Sequence, residues 1–179
     1  MKKQAWFWSA VALQVLLLIG VGAKTVYIRT TGEEIMLPLQ PVDPYNIWSG
    51  YYISLRYELN DVQPDSSRKF FPKDRQTIYI VIEKDAKGVW RKRSAHTEKP
   101  TVTPRQRVIL GTYHAGYSRF SGGGAQLGLE TYYVPETARH EIAAEITKNP
   151  DRSFGVIALS KSGDAALVRI KVGDRVFAY

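Results

Sequence analysis

The chain has 179 residues, no cysteine and a formal net charge of +8. This length suits one ordinary domain with a hydrophobic core, and the absence of cysteine excludes disulfides, thiolate metal sites and cysteine nucleophiles. Lys2, Lys3 and Lys24 account for three of the 25 basic residues, so the rest of the chain carries 22 basic against 17 acidic residues. That modest surplus is not the profile of a nucleic-acid-binding protein, and nucleic acid is not an expected partner.

The N-terminal segment from Trp6 to Ala23 contains no charged residue. As a helix rising about 1.5 Å per residue, it reaches close to the roughly 30 Å hydrocarbon core of a bilayer. Residues 1–24 are therefore predicted to form a transmembrane anchor, followed by a domain over residues 25–179. The residues that characterise the anchor are Trp6, Trp8, Leu16, Leu17 and Leu18.

The charges flanking this segment predict its orientation. Lys2 and Lys3 favour a cytoplasmic N-terminus, which places the main domain outside the cytoplasm, in a periplasm or thylakoid lumen. A cleaved signal peptide is the first alternative, because Val21-Gly22-Ala23 offers small residues at a suitable place, although the apolar run exceeds the usual ~7–15 residues. A buried core helix is the second, although the segment has no polar face.

The next part of the chain combines proline-rich and alternating stretches. Three prolines predict extended, irregular chain from Leu37 to Tyr45, because proline fixes φ and donates no hydrogen bond. From Tyr51 to Leu59 apolar and polar residues alternate, which predicts one half-buried strand. Residues 61–73 are predicted to form a long loop.

The remainder is predicted to be mostly strand. Gly122-Gly123-Gly124 is interpreted as a flexible link, and the helical spacing of Ala138, Ile142 and Ile146 predicts one short helix over residues 136–148. The fold class is therefore mainly β, a small barrel or sandwich-like domain with one short helix after the transmembrane helix. Further strands are predicted at residues 77–82, 89–91, 107–113, 127–134, 154–159, 165–170 and 175–179.

Two stretches resemble a bacterial membrane-anchored family named for its GDYxxLxY motif. They are Gly50-Tyr51-Tyr52-Ile53-Ser54-Leu55-Arg56-Tyr57 and Gly128-Leu129-Glu130-Thr131-Tyr132-Tyr133-Val134-Pro135-Glu136. The Asp of the motif is Tyr51 here, so no role of that carboxylate is carried over. The resemblance implies an N-terminal membrane segment, a β-rich extracytoplasmic domain and association with multi-spanning membrane proteins, and it implies no known reaction.

Candidate catalytic and metal-binding residues form no recognisable signature. His96, His114 and His140 lack a metal-ligand spacing, so neither a metal nor another cofactor is predicted. Ser160-Lys161-Ser162 is similar to the Ser–Lys pairs of exported peptidases, but adjacent residues on a strand face opposite sides. The glycine run lacks the Lys-Ser/Thr of a phosphate loop. Two groups of carboxylates have no spacing that specifies an acid–base pair: Glu58, Asp61 and Asp65, and Glu130, Glu136 and Glu141.

Two clusters are candidate interaction surfaces. A basic hairpin could contact anionic lipid headgroups or an acidic partner, or form a solvated hairpin tip; its residues are Lys84, Lys87, Arg91, Lys92, Arg93 and Lys99. An aromatic cluster beside the prolines offers the residue types that anchor protein interfaces, although some of its members enter the core if the strand is correctly assigned. Its residues are Tyr45, Trp48, Tyr51 and Tyr52.

These features favour a non-catalytic, membrane-anchored accessory or assembly subunit. Its β-rich domain would bind a multi-spanning membrane protein or complex. Whether the chain is an enzyme stays open. The alternatives are a membrane-bound hydrolase whose Ser and His or Lys meet only in three dimensions, and an extracytoplasmic domain that binds a small ligand.

Overall fold

The computed structural model describes residues 2–40, 52–64, 70–86, 88–116 and 123–179. The helices are α1 (Lys2–Thr31) and α2 (Glu136–Lys148), and two short 3-10 turns lie at Glu58–Asn60 and Pro150–Arg152. The strands are β1 (Glu33–Gln40), β2 (Tyr52–Ser54), β3 (Arg56–Tyr57), β4 (Thr77–Lys84), β5 (Trp90–His96), β6 (Gln106–Ala115), β7 (Gly123–Gln126), β8 (Thr131–Tyr133), β9 (Ser153–Leu159), β10 (Ala165–Val172) and β11 (Arg175–Phe177).

The strands form a partly closed, barrel-like domain around one core. A five-stranded sheet has the order β11-β10-β9-β1-β3, a four-stranded sheet has the order β5-β4-β6-β7, and β2 pairs with β8. Leu37 and Ile157 enter the core from the first sheet, Ile80 enters from the second, and Ile142 enters from α2. The predicted fold class, mainly β with one short helix, is confirmed, and α2 covers the predicted residues.

Among the described residues, one helical segment is long and apolar enough to cross a membrane: the part of α1 from Trp6 to Thr31. Only 6% of its most apolar stretch is buried against the rest of the protein. The helix continues without interruption past residue 24, the predicted end of the anchor, and ends at Thr31.

The prediction of irregular chain from Leu37 to Tyr45 is wrong for residues 37–40, because these residues belong to β1. Alternate side chains of β1 enter the core, and this burial outweighs the effect of Pro38. Pro38 lies opposite Phe154 at the end of the β9 ladder, and pairing with β3 begins only at the next residue. A missing N–H group costs least at such a boundary. Residues 41–45 lie outside the described part of the chain.

The prediction of one continuous strand from Tyr51 to Leu59 is also wrong, although the predicted alternation of buried and exposed side chains is correct. Ile53, Leu55, Tyr57 and Leu59 are buried. The segment forms two short strands and a 3-10 turn, because β2 pairs with β8 whereas β3 pairs with β1.

The glycine run is not a flexible link where the structure describes it. Gly123 and Gly124 are buried in β7 and pair with β6. A Cβ on Gly123 would lie only 2.0 Å from the Tyr113 hydroxyl oxygen, so glycine is required by close packing. The strand predicted over residues 127–134 is reduced to the three residues of β8, and Gly128 before it has a φ of +74°.

The connection between β5 and β6 has to cross the four-stranded sheet. Both strands run antiparallel to β4 and lie on its two sides, so residues 97–105 must pass across β4. The core occupies the inner face of β4. Val81 on the outer face is nevertheless buried, as expected if this connection crosses there.

Candidate functional surfaces

The family motif crosses from one sheet to another. Between β2 and β3, the Leu55 N–H donates to the Glu130 carbonyl oxygen at 2.7 Å. Leu55 and Tyr57 both point into the core. The motif segment therefore joins the β2–β8 pair to the five-stranded sheet.

Tyr57 is fully buried and fills a space left open by a glycine. Its hydroxyl donates to the Leu129 carbonyl oxygen at 3.1 Å, and a Cβ on Gly155 would lie 2.8 Å from the Tyr57 Cε1 atom. Burial, and secondarily the negative charge of Glu130, raise the pKa of the Tyr57 phenol far above its usual value. The ring is thus a neutral core side chain whose only polar atom is satisfied.

Asn60 supports the same junction. Its Oδ1 accepts from the Tyr57 N–H at 2.7 Å, and its Nδ2 donates to the Ala125 carbonyl oxygen and to Glu130 Oε1, both at 2.8 Å. Glu130 Oε1 also accepts from the Leu127 N–H at 2.6 Å. In the described part of the chain no buried side-chain N or O atom lacks a partner. This network has the completeness expected of a structural junction.

Among the described residues, the other carboxylates of the two groups considered in the sequence form no acid–base pair. Glu58 lies 3.3 Å from Arg91, and Asp61 lies 2.5 Å from Arg56. Glu141 pairs with Arg175 on β11 rather than with another carboxylate. Glu136 is exposed in the first turn of α2, and Asp65 lies outside the described residues. Each engaged carboxylate therefore neutralises a nearby cation.

Two tyrosines form an uncharged outer face on the β2–β8 pair. Tyr52 lies directly opposite Tyr133, and their rings make an edge-to-face contact with centroids 6.1 Å apart. Tyr133 is 71% exposed. Ser54 and Thr131 are the next pair on this face. The other predicted aromatic residues, Tyr45, Trp48 and Tyr51, lie outside the described part of the chain.

Tyr133 was not among the exposed aromatic residues predicted from the sequence. Thr131, Tyr132 and Tyr133 alternate as a strand requires, but the alternation does not reveal which tyrosine is buried. Tyr132 is the buried one, with its hydroxyl donating to the Phe177 carbonyl oxygen at 3.1 Å. Burial raises the pKa of Tyr132, and the hydrogen bond from the Tyr179 N–H partly offsets this rise.

The basic hairpin is partly neutralised by its own carboxylates. Arg91 lies near both Glu58 and Asp85, at 3.3 and 3.4 Å, and Arg93 lies 3.7 Å from Glu83. Lys92 donates to the Asp61 carbonyl oxygen. Lys84 and Lys99 are exposed and have no ion pair among the described residues, and Lys87 lies outside them. The net charge of this surface is therefore smaller than the sequence indicates.

Within the residues that the structure describes, Ser94 and His96 lie in contact. The Ser94 oxygen lies 2.8 Å from His96 Nε2 on the edge strand β5, because residues two apart on a strand share a face. That spacing was visible in the sequence. Ser160 and Ser162 instead contact each other at 2.8 Å, and Ser162 donates to Asp164. The described residues contain no group of three metal-binding side chains.

The C-terminal end of α1 packs on the outer face of the five-stranded sheet. Ile28 is buried against Ala158 and Ala166, where small side chains let the helix approach closely. Gly32 directly follows the helix, and a Cβ there would lie 2.7 Å from the Ile28 carbonyl oxygen and 2.9 Å from the Leu159 nitrogen. The contact between α1 and the sheet is therefore closely packed at Ile28 and again at Gly32, where the chain passes from α1 into β1.

Three ion pairs border this junction. Lys24 Nζ lies 2.7 Å from Asp164 Oδ1, and the hydrogen bonds from Lys24 and then Ser162 hold the pKa of Asp164 below its usual value. Arg169 makes two hydrogen bonds to Glu34, at 2.7 and 2.8 Å, and lowers the pKa of that carboxyl. Arg107 pairs with Glu33 at 2.7 Å.

Comparison with protein families identifies the relationship of most of the chain. The profile of the family described as GDYXXLXY protein matches residues 14–170. Comparisons with curated proteins and with solved structures gave no match. The matched residues include most of α1, the buried motif segment and the strands up to β10. The chain belongs to the GDYXXLXY protein family.

Proposed function

We propose that the protein is a non-catalytic, membrane-anchored accessory or assembly subunit whose β-rich domain binds a membrane protein complex. The proposal rests on the way that α1 is exposed along its apolar length and packed at its C-terminal end. Its apolar length is exposed, whereas its last turns are packed on the five-stranded sheet. Such a helix holds the domain at a bilayer in a fixed orientation. The N-terminus lies in the cytoplasm and the domain lies outside it, following the charges of Lys2 and Lys3.

The tyrosine face of β2 and β8 is the surface that we assign to the partner. Tyrosine supplies large contact area and a hydroxyl, and it is common among residues that dominate binding energy. Tyr52 and Tyr133 are already fixed against each other, so little side-chain entropy is lost on binding. No charged residue lies in the two register pairs of this face, Tyr52–Tyr133 and Ser54–Thr131, which favours an uncharged contact surface on the partner.

Co-purification tests this function. The tagged full-length chain, extracted with a mild detergent, is expected to retain a multi-spanning membrane protein. Tyr133→Ala should reduce the recovered partner at least several-fold. Phe71→Ala is the matched control, because it also removes a strongly exposed aromatic ring, 74% exposed, from another segment. A chain that elutes alone, or equal losses for both variants, would contradict the proposal.

A membrane-bound hydrolase is the second candidate, and it is favoured by the contact between Ser94 and His96. A serine nucleophile needs a base within hydrogen-bond reach, usually oriented by a third group. The 2.8 Å contact supplies the first condition. A fluorophosphonate probe should label the full-length chain if this function is correct, and Ser94→Ala should abolish the labelling whereas Ser160→Ala should not. Absence of labelling in the unmodified chain would reject it.

A further inference from the structure

The turn between β9 and β10, residues 160–164, lies beside the end of the apolar helix. We propose that this membrane-facing turn rests on the headgroups of anionic phospholipids, with Lys161 as the cation that contacts them. This inference rests on the proposed function, because it requires α1 to span a bilayer.

The depth of the turn follows from the position of Lys24. The uncharged run ends at Ala23, and 18 residues of helix from Trp6 extend about 27 Å, close to the hydrocarbon thickness of a bilayer. Lys24 therefore lies where hydrocarbon meets headgroups. Its Nζ is 2.7 Å from Asp164, which puts the turn at the same depth. Tyr27, nearly one helical turn further on, is exposed, as is typical of residues at a membrane interface.

The turn is held in place from two sides. The packing of Ile28 on Ala158 and Ala166 fixes the helix on the strands that the turn connects. On the other side, the Gly163 carbonyl oxygen accepts from the Leu110 N–H at 2.9 Å. The turn is thus attached both to α1 and to the four-stranded sheet, and it cannot move away from the bilayer without breaking these contacts.

The charge of the turn favours an anionic surface. Asp164 is neutralised by Lys24 and is also bonded to Ser162. Lys161 is exposed and has no ion pair within the residues that the structure describes. The turn consequently presents a positive charge to the headgroup layer, and such charges are attracted to anionic lipids.

The absence of native cysteine makes a depth measurement direct, because each introduced cysteine is the only labelling position. The full-length chain carries an environment-sensitive fluorophore at Ser162→Cys in nanodiscs that contain a headgroup spin-labelled lipid. Asp151→Cys is the distant control, because Asp151 is exposed in the turn just before β9, at the other end of that strand from residues 160–164. Leu17→Cys with an acyl-chain spin label reports the span itself.

We expect at least threefold more quenching at position 162 than at position 151, together with strong acyl-chain quenching at position 17. Equal quenching at positions 162 and 151, with position 17 still quenched, would overturn this inference and leave the anchor intact. Loss of quenching at position 17 would overturn the anchor and the inference with it. Ser160→Cys lies in the same turn and leaves Lys161 in place, so it provides a second label position if thermal unfolding shows that Ser162→Cys perturbs the turn.

The contribution of charge is tested in the same labelled protein. In nanodiscs containing phosphatidylglycerol, Lys161→Glu should reduce headgroup quenching at position 162 at least twofold. Lys148→Glu makes the same charge change at the C-terminal end of α2, which leads into the start of β9 and so lies away from the turn at the other end of that strand, and it should have no effect. Equal behaviour of the two variants would contradict a lipid contact by Lys161.

Discussion

Replacing Gly155 with alanine tests whether β9 leaves space for the Tyr57 ring. The φ of Gly155 is not in the left-handed region, so alanine would, on backbone grounds alone, stabilise the protein by about 0.4–1 kcal/mol. However, its Cβ would lie 2.8 Å from Cε1 and 2.9 Å from the hydroxyl oxygen of Tyr57. The ring cannot withdraw easily, because it is fully buried and bonded to the Leu129 carbonyl oxygen. We therefore expect a loss of about 1–3 kcal/mol, the usual cost of overpacking a core.

Thermal and chemical unfolding of the full-length chain in detergent measures this loss. For a protein of this size, each 1 kcal/mol shifts the Tm by roughly 2–4 °C. Gly111→Ala is a graded control, because its Cβ would lie 3.2 Å from a movable Leu127 methyl group and 3.3 Å from the Gln126 carbonyl oxygen. Its loss should be smaller.

A double-mutant cycle identifies the cause of the loss. In a Tyr57→Leu background the ring is absent, so Gly155→Ala should cost much less than it does in the unmodified chain. Unchanged or increased stability of Gly155→Ala, or additive effects of the two substitutions, would refute the packing argument.

Three further substitutions test the polar contacts. Tyr57→Phe should cost about 1–3 kcal/mol, because it leaves a buried carbonyl oxygen without a donor. Burial raises the folded pKa of Tyr57, so its contribution is present below the unfolded value of 10.0 and lost as pH rises above it; pH-dependent unfolding should show a weaker alkaline loss in Tyr57→Phe. Asn60→Asp places a second carboxylate beside Glu130 and should cost roughly 2–5 kcal/mol at pH 7, with recovery at pH 4 or on adding Glu130→Gln. Asp164→Asn removes a largely exposed pair with Lys24 and should cost less than about 1 kcal/mol. The folded pKa of Asp164 is lowered, so its contribution is present above 3.8 and lost as pH falls below that value; acid unfolding curves of the variant and the parent should converge there.

Elements whose formation depends on local pattern were predictable from the sequence. The spacing of Ala138, Ile142 and Ile146 defines one buried face of α2, and these three residues are the buried ones. The β-branched run at the start of β4 likewise forms a strand. In both cases the side chains that indicate the element are also those that bury its face.

Elements that depend on distant partners were not predictable. The alternation around Leu55 is real, but nothing in it shows that β2 and β3 pair with different strands. The glycines of β7 were predicted to form a flexible link, because the sequence does not show that Tyr113 packs against Gly123. That contact forms only in the folded protein. In the sequence, Pro38 favoured irregular chain over the strand that the apolar residues of β1 indicate. In the structure, burial of alternate side chains in the core stabilises that strand.

The candidate surfaces divide in the same way. Whether a charged side chain stays unpaired depends on tertiary neighbours, so the basic hairpin could be located in the sequence but its neutralisation by Glu58 and Glu83 could not. The Ser94–His96 contact is different, because a two-residue spacing on a strand indicates a shared face. The predicted strand ended at Arg91, however, so the contact could be inferred only after the structure showed that β5 extends to His96.

The environment of the motif indicates where function should be sought. A catalytic signature would present polar atoms to a substrate, whereas Leu55 and Tyr57 face the core and the Tyr57 hydroxyl is bonded to Leu129. The nearby Asn60 is likewise engaged by its neighbours. These contacts hold together the strands that carry the tyrosine face and the strands that carry α1. Interaction partners are therefore to be sought on the surfaces that the motif positions, the tyrosine face and the membrane-facing turn.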